Sequence, residues 1–90
     1  MKKLERGLIV SCQAVEGEPL YGYGIMNLFA YAAKEGGASG IRALCPDIDS
    51  IKEKVDLPVI GLVKKHYDDS AIYITPTKKE IDDLLKTKCD

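Results

Sequence analysis

Three side chains in this sequence combine useful chemistry with a telling position. Lys64 closes the apolar run Val59-Ile60-Gly61-Leu62-Val63. Alternation along a strand places it on the face of Ile60 and Leu62. A lysine leaving an apolar strand is partly stripped of water, a setting that suits an amine to proton transfer. Arg42 lies inside the short run Ile41-Arg42-Ala43-Leu44 and offers a permanently charged planar fork for a carboxylate or phosphate. Gln13 ends the run that starts at Leu8. Each has a plainer reading. A lysine after a strand marks the return to solvent, Arg42 reads as an ion-pair partner of Asp47 or Asp49 ahead of a ligand contact, and Gln13 reads as a strand-end cap.

The remaining reactive side chains form no second constellation. Cys12 has no histidine nearby in sequence and reads as a small buried hydrophobe. His66, the sole histidine, follows two lysines and reads as a solvated loop residue. Gly36, Gly37 and Gly40 do not follow a strand, so they are helix punctuation and not a phosphate-binding fingerprint. The carboxylates are scattered and suggest no acid–base pair.

The elements that must carry these residues are legible in outline. Leu8-Ile9-Val10, leading into Ser11-Cys12-Gln13, predicts a first strand, and the glycine-rich stretch from Val15 to Gly24 predicts a surface loop. Ile25, Leu28, Phe29, Ala32 and Ala33 recur at i, i+3, i+4, i+7 and i+8, the buried stripe of a helix that Gly36-Gly37 ends. Ile41 to Leu44 predicts a second strand. Pro46-Asp47 opens a second helix with Ile48, Ile51 and Val55 inside, and Asp56-Leu57-Pro58 breaks it. Val59 to Val63 predicts a third strand and Ile72-Tyr73-Ile74 a short extended piece. Thr77-Lys78-Lys79-Glu80 matches a capping box, with Ile81, Leu84 and Leu85 as the stripe of the last helix. The order β-α-β-α-β-α with near-continuous apolar strands predicts an α/β protein whose parallel strands are joined by helical crossovers. Ligands of such sheets bind at the carboxyl ends of the strands, where Gln13 and Lys64 fall.

Composition narrows the function classes. The chain has 90 residues, 46% hydrophobic and 30% charged, with 13 basic and 14 acidic side chains and a net charge of −1. That balance gives no electrostatic case for a nucleic-acid or anionic-membrane partner. No apolar run is long enough to span a bilayer. Met1-Lys2-Lys3 is not followed by the apolar stretch of a signal peptide. Three cysteines without a CxxC pair suggest neither a disulfide framework nor a zinc site, and a reducing cytoplasm is the expected compartment.

The run Gly-Leu-Ile-Val-Ser-Cys-Gln-Ala at 7–14 resembles the opening of the bacterial N-acetylmannosamine-6-phosphate 2-epimerases. The similarity continues through Glu18-Pro19-Leu20, Ile25-Met26, Ala32-Ala33-Lys34-Glu35-Gly36-Gly37-Ala38, Gly40-Ile41-Arg42-Ala43, Ile51-Lys52, Leu57-Pro58-Val59-Ile60-Gly61-Leu62-Val63-Lys64 and Ile74-Thr75-Pro76-Thr77. Lys65 stands where the family usually has arginine, and Tyr21-Gly22-Tyr23-Gly24 replaces a His-Ser-Ser-Phe type segment. The resemblance implies a (β/α)8 TIM barrel of more than twice this length, of which residues 1–90 would be a single partial domain holding the first three βα units. It implies interconversion of N-acetylmannosamine 6-phosphate and N-acetylglucosamine 6-phosphate, a step in sialic acid and amino-sugar breakdown, with no metal or nucleotide cofactor. Lys64 matches an acid–base residue that moves the C2 proton, and Gln13 and Arg42 match residues that contact the sugar phosphate. The second acid–base carboxylate and the phosphate site of the family fall on later strands. This chain alone is therefore expected to be inactive and to form a homo-oligomer through an exposed barrel-facing side that includes Ile60 and Leu62. The competing readings are a non-catalytic α/β association module and another sugar-phosphate isomerase or lyase on the same barrel.

Overall fold

A computed structural model describes residues 4–69 and 71–90; the basic start Met1-Lys2-Lys3, read above for a signal peptide, lies outside them. The chain forms β1 (Ile9–Cys12), α1 (Met26–Glu35), β2 (Gly40–Leu44), a 3-10 turn (Cys45–Asp47), α2 (Ile48–Lys54), β3 (Val59–Leu62) and α3 (Lys78–Leu85). The strands make one parallel sheet in the order β1-β2-β3. Val10, Ile41 and Val59 share one row, and Ser11, Arg42 and Ile60 share the next. Because each strand pairs with its successor through a helix, the expected crossovers are present.

The register sorts side chains onto two faces. Val10, Cys12, Ile41, Ala43, Val59 and Gly61 face the helices, where Ile41, Ala43 and Val59 are wholly buried against Ile48, Ile51 and Ala30. The other face carries Ser11, Arg42, Ile60, Leu44 and Leu62.

Helix ends follow their local chemistry. Gly37 adopts φ +98°, and the N–H groups of Gly37 and Ala38 donate to the carbonyls of Lys34 and Ala33, both at 3.0 Å. These two bonds satisfy carbonyls that the end of α1 would otherwise leave unpaired. In α2, Ile48, Ile51 and Val55 are buried as their spacing predicts, although Pro46-Asp47 form the preceding 3-10 turn and not the helix itself.

Four expectations change. In α1 the buried residues are Met26 and Ala30, with Ala33 half-buried, while Leu28, Phe29 and Ala32 are exposed. Small Ala30 lets the helix approach the sheet closely, and the bulkier Leu28 and Phe29 lie on a side with no described neighbour element to cover them. In α3, Glu80 is buried and Leu84 half-buried, whereas Ile81 and Leu85 face outward. The capping box is also rearranged: Thr77 makes no side-chain cap bond, and its hydroxyl instead donates to Glu80 Oε1 at 2.8 Å. Finally, Leu62 is only 3% exposed and Ile60 half-buried, so the open sheet face is less apolar than expected. Leu62 sits beside Leu44 in the register, and Leu44 floors cavities roofed by the β1–α1 loop.

Candidate functional site

Gln13, Arg42 and Lys64 come to the same face of the sheet. Arg42 shares a row with Ser11, and Gln13 is two residues beyond Ser11; its Nε2 donates to Ser11 Oγ at 3.4 Å. Lys64 lies two residues beyond Leu62. The chain stays extended there because Lys64 pairs with Ile74 in an antiparallel bridge. The predicted extended piece at 72–74 is thus the return limb of a short ribbon that prolongs β3. Thr75 N–H donates to the Val63 carbonyl at 2.6 Å, Val63 N–H donates to Thr75 Oγ1 at 3.2 Å, and Lys65 N–H donates to the Tyr73 carbonyl at 2.8 Å.

At the carboxyl ends of the strands, Lys64 lines a cavity of about 250 Å³ together with Ala14, Val15, Tyr21, Leu44 and Val63. It also lines a wider cleft of about 460 Å³ with Val15, Glu16, His66 and Tyr73. Gln13 lines a separate hollow of about 190 Å³ with Ala14, Glu18, Pro19 and Leu20. Arg42 lies deeper along the sheet and lines none of these. The three side chains therefore share a face of the sheet, with Gln13 and Lys64 at its carboxyl end, without sharing one cavity. Glu18 orders the wall between them: its carboxylate accepts the Val15 N–H at 2.6 Å, and its own N–H donates to the Val15 carbonyl at 3.0 Å.

The ion pair expected of Arg42 is not formed. Among the described residues its guanidinium has no hydrogen-bond or ion-pair partner, although the residue is half-buried. Asp49 Oδ1 instead accepts the Lys88 N–H at 2.8 Å. Asp47 stays apart from Arg42, and burial raises its carboxyl above the usual carboxylate range. A half-buried cation without a counter-ion is a ready anion contact. Lys64 is exposed, so the expected removal of water from its amine is not supplied by these residues alone.

Cys12 is 3% exposed on the helix side, and burial pushes its thiol up, which fits the reading of a small inert hydrophobe. His66 is exposed, yet it stacks on Tyr73 with ring centroids 4.9 Å apart and borders the cleft of Lys64. Its place there, and that of Glu16, escaped the sequence reading. Neither carries a local pattern; the ribbon and the β1–α1 loop bring them together. Among the described residues no group of three or more His, Cys, Asp or Glu is placed to hold a metal ion, and no helix is long and apolar enough to cross a membrane.

The sheet order, the crossovers and a cleft at the strand carboxyl ends match the first three βα units of a (β/α)8 barrel. A family model described as "Putative N-acetylmannosamine-6-phosphate epimerase" matches residues 26–90. Relatives named "Putative N-acetylmannosamine-6-phosphate 2-epimerase" include one from Clostridium perfringens strain SM101, 60% identical over 84 residues, covering 92% of this chain and 38% of the relative. Another, from Clostridioides difficile strain 630, is 57% identical over 91 residues, covering 100% and 41%. The solved N-acetylmannosamine-6-phosphate 2-epimerase of Clostridium perfringens superposes with a TM-score of 0.85 at 58% identity, over 90% of this chain and 36% of that one. The chain belongs to the N-acetylmannosamine-6-phosphate epimerase family, and it spans about two fifths of the length of these curated relatives.

Proposed function

We propose that residues 1–90 are one partial domain, the N-terminal portion of an N-acetylmannosamine-6-phosphate 2-epimerase that interconverts N-acetylmannosamine 6-phosphate and N-acetylglucosamine 6-phosphate in the cytoplasm. Inverting C2 means removing a proton beside the C1 carbonyl of the open-chain sugar and returning one to the opposite face. Lys64 moves that proton, and Gln13 and Arg42 contact the sugar phosphate. As C2 loses its proton, negative charge builds on the C1 oxygen, and the positive charges of Lys64 and Arg42 stabilise it. The observation that carries the reading is the convergence of Lys64, Gln13 and the unpaired Arg42 on one sheet face, in a chain 60% identical to a named epimerase.

One amine serves one face of C2, so the 90-residue chain alone is expected to show no turnover. The test is a chimera in which this chain replaces the matching segment of the Clostridium perfringens relative, assayed with N-acetylmannosamine 6-phosphate. The chimera turns over, and Lys64→Ala lowers kcat by about 100-fold or more. Full activity in Lys64→Ala would remove the role assigned to that residue, and a chimera that turns over a different sugar phosphate but not N-acetylmannosamine 6-phosphate would redirect the substrate assignment.

A further inference from the structure

Glu80 is the sole charged residue buried among those described, 2% exposed in the first turn of α3. A carboxylate removed from water is costly unless its oxygens are hydrogen-bonded. Here both are: Oε1 accepts the Thr77 hydroxyl at 2.8 Å, and Oε2 accepts the Tyr67 hydroxyl at 3.1 Å. Tyr67 lies three residues after Lys64, just past Lys65, the last residue hydrogen-bonded on the ribbon's outgoing limb, and Thr77, two residues after Thr75 of the returning limb, is the N-cap residue of α3. One carboxylate thus ties Tyr67, where the chain leaves the outgoing limb, to the α3 N-cap residue that follows the returning limb.

The ribbon needs such a tie. Thr75 has φ +45°, the one non-glycine residue among those described with positive φ, and a β-branched side chain adopts that region only when its surroundings hold it there. Lys64 needs it too. Among the described residues its ammonium has no hydrogen-bond or ion-pair partner, so its position is set by the backbone of the ribbon.

We propose that Glu80, through Tyr67 and Thr77, is a positioning residue that fixes the ribbon and so aims Lys64 into the cleft at the strand ends. The proposal rests on the reading of Lys64 as the proton-transferring amine. It assigns Glu80 no contact with substrate. Displacing a reacting group by an ångström is enough to slow a reaction steeply while substrate is still bound.

The chimera described above, with Lys64→Ala as its control, provides the test. Tyr67→Phe and Thr77→Val each lower kcat about tenfold with KM unchanged within about twofold, and Thr77→Ser, which keeps the hydroxyl, restores kcat. In the 90-residue chain itself, Tyr67→Phe and Glu80→Gln speed amide exchange at Lys65 and Thr75, whose N–H groups close the ribbon. Variants that lose melting temperature while keeping kcat and KM would overturn the proposal, as would unchanged exchange at both amides. Full activity in Lys64→Ala would instead overturn the function reading, and the exchange measurement would still report whether Glu80 holds the ribbon.

Discussion

At the scale of single residues, the carboxyl of Asp47 sits where burial opposes its charge. Burial favours its neutral form, which raises its folded value above the unfolded one. The native state therefore holds this proton more tightly than the unfolded state. Its contribution is fully present below the unfolded carboxyl value and is lost as pH rises through the raised folded value. Asp47→Asn should flatten that part of the stability profile and raise stability at neutral pH, as read from urea midpoints across the window. Identical profiles for the two proteins would contradict this account. Asp90 shows the opposite arrangement: its Oδ2 accepts Lys52 Nζ at 2.5 Å and the Val59 N–H at 3.0 Å, so its charge is compensated where it is buried. Among the candidate site residues, alternation set Lys64 on the face of Ile60 and Leu62, because a strand's period of two is rigid, whereas the face it shares with Gln13 and Arg42 follows from the register between strands. The contacts around them were not legible. The capping-box spacing pairs Glu80 with Thr77 but signals neither its burial nor its bond to Tyr67, nothing local places Glu16 at the cleft, and Arg42 reads as paired because two aspartates follow it closely in the chain.

At the scale of elements, Gly61 shows how tightly β3 meets its helices. A Cβ there would lie 2.6 Å from Ile48 Cδ1, 2.9 Å from Leu84 Cδ2 and 3.1 Å from Cys89 Cβ. The first two contacts are side-chain tips that can turn aside, but Ile48 is wholly buried and the third is a Cβ. Gly61→Ala should destabilise the fold by about 1–3 kcal/mol, measured by chemical unfolding, and an unchanged midpoint would mean that the helices sit farther from β3. The strands were legible to within one or two residues because short β-branched runs bounded by glycine and proline have few alternatives. Helix faces were harder. α1 has apolar residues on two sides, Leu28 and Phe29 on one and Met26 and Ala30 on the other, and periodicity alone does not say which side meets the sheet. α3 buries a carboxylate, which inverts the usual hydropathy signal.

At the scale of the whole molecule, the three βα units leave apolar surface uncovered on β1 and α1. The accessible surface of 6212 Å² exceeds the roughly 5,200 Å² expected for a compact monomer of this size. Ile9 on β1 is 41% exposed, and Leu28 and Phe29 on α1 are 53% and 44% exposed. The outer strand β1 also presents a backbone edge, whereas the edge of β3 is met at Val59 by Asp90. The chain by itself should therefore self-associate, with a light-scattering mass that rises with concentration. A constant monomer mass over a wide concentration range would show that these surfaces are covered in another way.

The strand order has one more consequence. Each strand joins the edge left by the one before it, with Gly40 reaching back 31 residues to Ile9 and Val59 reaching back 18 residues to Ile41. Asp90 N–H already donates to the Val59 carbonyl at 2.9 Å, outside β3. A sheet that grows in this order never waits for a distant partner, so it can be laid down during translation, each completed edge acting as the template for what leaves the ribosome next.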